Sequence, residues 1–177
     1  IMKIFNRGLL TALLVSAAWA GLPASSFANH SWGGYHWART ANPFTVKLGD
    51  NVGNSSTSSR WYGYLSTTSH DWSTFPSGVS DVLDTTIVTG GTSARRCSAT
   101  AGRVEVCNNT YGNNGWLGVA SIWISGSHIT QGTVKMNDTY FNTATYNKPA
   151  WRNLVMCQEV GHTFGLDHQD EIFTNTN

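Results

Sequence analysis

Charge is scarce in this sequence. Asp, Glu, Lys and Arg make up 12% of 177 residues, about half the usual share of a globular domain. The formal net charge is +1, which provides no field to attract nucleic acid or an anionic membrane surface, and neither is expected as a partner. Internal repeats are absent. Beyond residue 20 there is no run apolar enough to span a bilayer. Ser, Thr, Asn and Gly take the place of charge, and disorder is not expected because 12% of the residues are aromatic, with eight Trp in the chain, enough apolar surface to offset chain entropy. The length suits one domain with its own core.

The N-terminus reads as a signal peptide over residues 1–28. Lys3 and Arg7 form a short basic start, and Leu9 to Ala20 is an apolar stretch too short for a comfortable membrane span. Ser26-Phe27-Ala28 is a cleavage site by its small residues, with Ala18-Trp19-Ala20 as an earlier one. A membrane anchor or buried helix is the other reading of this stretch. Removing Lys3 and Arg7 takes the formal charge from +1 to −1. The chain is therefore expected to be secreted and extracellular, free of the membrane once the signal is removed. Export permits disulfides. Cys97 and Cys107 flank a polar loop and are the natural pair, worth roughly 2–3 kcal/mol for so short a loop. Cys157 is left over, either as a buried thiol or as half of a bridge to a segment beyond Asn177.

Along residues 29–177, Asn29 to Arg39 is aromatic and irregular. Phe44 to Leu48 alternates as a half-buried strand does. Asp50 to Ser59 is loop-like. Trp61 to Phe75 has apolar residues at helical spacing and stops before Pro76. Val82 to Val88 reads as a strand, and Thr89 to Cys107 as a loop with a short strand at Arg103 to Val106. Tyr111 to Gly115 is a turn. Gly118 to Ser125 and Ile129 to Asn137 read as strands separated by Gly126. A late helix starts at Pro149, a residue suited to the first helical turn, and carries Trp151, Leu154, Val155, Gln158, Val160 and His162 at helical spacing. Gly165 is suited to the left-handed conformation that ends a helix. This order predicts an α+β domain, a mixed twisted sheet packed on helices.

The late helix carries the chemistry. Residues four apart share a helix face, so Gln158 and His162 can address one ion. Glu159 lies about a hundred degrees round, placed to hold a water. The turn at Gly165 lets His168 return to the same ion. Zinc takes about four such ligands in a tetrahedron. The segment Gln158-Glu159-Val160-Gly161-His162-Thr163-Phe164-Gly165-Leu166-Asp167-His168 resembles the H-E-x-x-H-x-x-G-x-x-H pattern of the metzincin zinc metalloproteases. Trp116-Leu117-Gly118-Val119-Ala120 and Gly132 to Asn137 resemble the strands before the active-site helix in matrixin-like members. The resemblance implies a metzincin-like catalytic domain over residues 29–177 with its C-terminal subdomain truncated, a zinc cofactor held by Gln158, His162 and His168, and Glu159 as general base. It implies an endopeptidase acting on protein or peptide substrates, with Gly118 to Ser125 as the edge strand that an extended substrate joins. The chain departs from the pattern at Gln158, where the family has His; a carboxamide oxygen is a weaker and harder donor than imidazole. No Met follows His168 to form the family's Met-turn, and no Cys lies between Ala28 and Cys97 to act as a cysteine switch.

Other readings stand beside this one. A secreted, non-catalytic binding module of the same fold would keep Glu159 without tight zinc. His162 and His168 could instead cap a helix C-terminus, where cations are favoured. His128 reads as a turn residue, and His30, His36 and His70 carry no assigned role. Trp32, Trp37 and Trp61 read first as packing residues and second as a sugar-binding face. Oligomeric state is not readable.

Overall fold

The computed structural model of the chain describes residues 31–52, 61–74 and 82–168. The signal peptide, His30, most of the Asp50–Ser59 loop, Pro76 and the tail from Gln169 lie outside the described residues. Six strands form one sheet: β1 (His36–Trp37), β2 (Phe44–Asn51), β3 (Leu83–Thr89), β4 (Arg103–Asn109), β5 (Gly118–Ser125) and β6 (His128–Asn137). The path β1-β6-β4-β2-β3 is parallel throughout, and β5 adds antiparallel to β6. β5 pairs with β6 alone among the described residues, so its outer edge is an unpaired strand edge. Three helices follow in chain order: α1 (Tyr62–Ser73), α2 (Asp138–Phe141) and α3 (Pro149–His162). None of the described helices is long and apolar enough to cross a membrane.

The expected α+β mixture of one mixed sheet and helices holds at that coarse level, and the sheet is mostly parallel. Strand ends differ from the expectation in a consistent direction. β2 continues through Asp50 and Asn51, β3 through Thr89 and β4 through Asn109. Polar residues end an alternation in sequence, yet parallel pairing, to two neighbours for β2 and β4 and to β2 alone for β3, carries the backbone on. His128 is the first residue of β6 rather than a turn residue. The irregular N-terminal stretch supplies β1, two residues that pair with His128 and Ile129.

One face of the sheet carries the apolar core. Val46 and Leu48 of β2, Val104 and Val106 of β4, and Val134 and Met136 of β6 pack with Leu65 of α1, Phe141 of α2, and Val155, Met156 and Val160 of α3. Full burial of each such side chain contributes roughly 1.5–3 kcal/mol. Trp61 is buried and packs edge-to-face on Phe141 at 4.6 Å. Its indole N–H donates to Asp138 Oδ1 at 2.8 Å, and the buried Arg152 guanidinium lies 4.5 Å over its ring. Trp61 is thus a core residue and Trp37 is partly buried, whereas Trp32 is exposed.

The loop from Gly90 to Gly102 lies on the opposite side of β4. The Cys97–Cys107 disulfide ties it there, with Cα atoms 5.9 Å apart. Beside it, Glu105 is fully buried. Its carboxylate pairs with Arg103 Nε at 2.8 Å and accepts from Asn51 Nδ2 at 2.7 Å and Gly91 N at 3.1 Å. A Cβ at Gly49 would run into this carboxylate. Cys157 carries a free thiol and is half-buried.

Candidate metal centre

α3 presents the predicted side chains as the sequence spacing requires. It begins with Pro149 at its first turn and ends at Thr163, whose hydroxyl donates to Val160 O at 2.6 Å. Gly165 then adopts φ +92°, the left-handed conformation open to glycine. Its N–H donates to His162 O at 3.0 Å and Leu166 N to Gly161 O at 3.4 Å. Glycine is doubly required here, because a Cβ would collide with the Tyr35 carbonyl.

An N-terminal strap holds this turn in place. Ser31 bridges Leu166, Trp32 N donates to Gly165 O at 2.7 Å, and Trp37 Nε1 donates to Thr163 O at 2.8 Å. Sequence reasoning gave these Trp residues no part in the site. Nothing in their spacing relates them to residues some 130 positions away.

The turn brings His168 back to α3. His168 Nε2 lies 2.7 Å from the Gln158 amide nitrogen and 3.0 Å from His162 Nε2. His162 Nδ1 faces Leu166 O at 2.8 Å. A backbone carbonyl only accepts, so Nδ1 carries the proton and Nε2 is the lone-pair nitrogen of the neutral ring. If the Gln158 amide donates to His168 Nε2, two imidazole lone pairs face each other. A shared proton or a cation between them would relieve that contact. A half-turn of the amide would offer Oε1 to the same point.

The three side chains converge, and of them the two imidazoles are usual zinc donors and the carboxamide a weaker one. Zinc–nitrogen bonds of about 2.0–2.1 Å place tetrahedral donors about 3.3 Å apart, so the present contacts need to open by a few tenths of an ångström. The set is two imidazoles and a carboxamide. Among the described residues no group of three His, Cys, Asp or Glu is placed to hold a metal.

Gln158, Glu159, His162 and His168 line one cleft of about 290 Å³, together with Trp32, Gly118, Val119, Ala120 and Asp167. The edge strand β5 therefore forms one wall and α3 the other. Glu159 is buried against β5, and a Cβ at Gly118 would fall 2.6 Å from its Cγ. Burial pushes the Glu159 carboxyl above its ordinary range, while the His162 ring and a hydrogen bond to the Ala120 backbone pull partly back. Trp32 stands edge-on to His162, with ring centroids 6.4 Å apart. Asp167 caps the His168 N–H at 2.8 Å. Gly118 had a readable signal, a glycine opening a strand, which often marks close approach of another group. His128 and His70 stay outside the cleft, His70 beside Asp71 on α1 at 3.5 Å.

No family model matches the chain, and no curated protein matches it.

Proposed function

We propose that this chain is a secreted zinc-dependent endopeptidase with a metzincin-like active site, Gln158, His162 and His168 holding the metal and Glu159 acting as general base. The observation that carries the reading is the convergence of three donor side chains beside a buried carboxyl, in a cleft walled by an unpaired strand edge. An unpaired edge suits an extended peptide, whose main chain can add to β5. Zinc bound there would supply a Lewis acid for water and a peptide carbonyl. The chain's own residues do the rest. The Glu159 carboxylate accepts a proton from the attacking water at a side-chain oxygen. It then delivers that proton to the amide nitrogen as the C–N bond breaks. Its raised proton affinity suits both halves of that exchange. The backbone carbonyl of Leu166 fixes the His162 tautomer and ring orientation, as partners behind a ligating imidazole do. Trp32 and Val119 line the cleft beside them.

A non-catalytic binding module is the second reading, and Gln158 favours it, because a carboxamide is a weaker zinc donor than imidazole. Zinc affinity measured by chelator competition on the unsubstituted protein and on Gln158→His tests the ligand assignment. A tighter site in Gln158→His is expected, and equal affinities would remove Gln158 from the set. Cleavage of a denatured protein substrate that is lost in Glu159→Gln supports the peptidase. Weak or absent zinc binding with no such cleavage supports the binding module.

A further inference from the structure

A second pair of imidazoles lies outside the cleft. His36 of β1 and His128 of β6 are register partners across a parallel pairing. Their ring centroids are 4.9 Å apart with planes at 78°, and both side chains are exposed. His36 Nδ1 lies 3.0 Å from Gly34 O, so it donates there and Nε2 is left as the acceptor of the neutral ring.

Two features liken this pair to the imidazoles of the cleft. The first is spacing. His162 and His168 have centroids 4.7 Å apart at 55°, and a tetrahedral ion with bonds of about 2.0–2.1 Å sets two imidazole centroids about 5 Å apart. The second is the tautomer. In each pair one ring gives its Nδ1–H to a backbone carbonyl, Gly34 O for His36 and Leu166 O for His162. That arrangement orients a ligating ring and leaves Nε2 for a metal.

We propose that His36 and His128 form a second metal site, for a borderline divalent cation of the zinc and nickel(II) class. Imidazole suits these ions. Among the described residues no third His, Cys, Asp or Glu joins the pair, so water completes the shell and the ion exchanges readily. The site has a structural consequence. β1 contributes only two residues to the sheet, and an ion shared by His36 and His128 fastens the strap to β6. The same strap holds the turn after α3 through Trp37 and Trp32. Occupancy of the outer site therefore stiffens the turn that presents His168. Only this last consequence rests on the metallopeptidase reading; the binding itself does not.

The test uses the full chain carrying His162→Ala and His168→Ala, or His168→Ala alone if the double variant fails to fold. Zn²⁺ and Ni²⁺ are titrated by calorimetry, and the histidine ring resonances are followed by NMR with Zn²⁺. One equivalent of ion is expected, with two ring signals moving together. Adding His36→Gln, or separately His128→Gln, is expected to abolish that equivalent with unchanged circular dichroism. Both side chains are exposed, and the backbone bond from His36 N to Ser127 O remains in either variant. No binding in the chain without its cleft imidazoles, or binding that survives both substitutions, would overturn the proposal and leave an edge-to-face ring contact only. Failure of the cleft reading has a different signature: one equivalent of Zn²⁺ in the unsubstituted protein, unchanged by His162→Ala and His168→Ala.

Discussion

Glu105 and Glu159 are the two buried glutamates of this chain's described part, and their surroundings drive them in opposite directions. Glu105 sits under the disulfide-tied loop. Burial alone would raise its pKa, but hydrogen bonds from Thr100, Asn51 and the Gly91 backbone, with the Arg103 charge, outweigh it and hold the carboxyl below its ordinary value. Glu159 is also desolvated but has fewer compensating partners, the His162 ring and the Ala120 backbone, and its carboxyl is pushed up. Glu105 has more donors to offset burial than Glu159 has. Glu105 is spent on the protein, whereas Glu159 keeps proton-accepting capacity that faces a cleft. A buried carboxyl short of donors, beside converging imidazoles, is the arrangement expected of a working group.

The sharpest way to break this contrast is substitution by the neutral isostere. Glu159→Gln is expected to lower peptide-bond hydrolysis by about 10²–10⁴-fold, the usual worth of a positioned base, with its melting temperature within a few degrees of the parent's. A large loss of stability on thermal unfolding would instead assign Glu159 a structural role. Glu105→Gln should do the reverse. Removing one partner of a buried ion pair costs about 3–5 kcal/mol, and the lower end applies because Arg103 is partly exposed. Urea unfolding measures this. A change under about 1 kcal/mol would mean that the pair is no better than a surface salt bridge.

A smaller effect is expected from the disulfide. Replacing Cys97 and Cys107 by Ala should cost roughly 2–3 kcal/mol. It should also free the loop that brings Gly91 and Thr100 to Glu105, moving that carboxyl back toward its ordinary value, as a carboxyl-resolved NMR titration would register. The pH dependence of stability gives the smallest signal. Because the folded-state pKa of Glu105 is depressed, its contribution is present above the unfolded carboxylate value and is lost as pH falls through the depressed folded value. Unfolding free energy measured through the acid range should decline in the parent and more weakly in Glu105→Gln. Identical slopes would show that Glu105 is not the group concerned.

The two glutamates also mark how much was legible in sequence. The helix from Pro149 and the strand Gly118–Ser125 were readable because proline, glycine and periodicity mark their ends, and both occupy the predicted range. The spacing of Gln158, Glu159, His162 and His168 carried their common cleft, since local helical geometry and one glycine turn suffice to bring them together. Glu105 was silent. Between Val104 and Val106 it reads as the solvent face of an alternating strand, but a loop tied by Cys97 covers that face. The role of Trp32 and Trp37 was equally hidden, because it depends on tertiary contacts. α2 is too short, at four residues, to show a helical period. The polar ends of β2 and β4 escaped because parallel pairing, not hydropathy, extends them.

The strap has a consequence in time. Ribosomes deliver Ser31–Trp37 long before residues 163–168, and Trp37 must wait across a sequence separation of 126 for its acceptor at Thr163. Closing so large a loop costs about 4 kcal/mol if nothing has formed in between, and far less once the sheet has already drawn the ends together. The turn therefore docks onto a strap that was synthesised well before it. Until then His168 has no fixed place beside Gln158 and His162. A nascent chain of this protein carries these histidines apart, and chemistry that needs them together starts only once residues 163–168 have been made and docked.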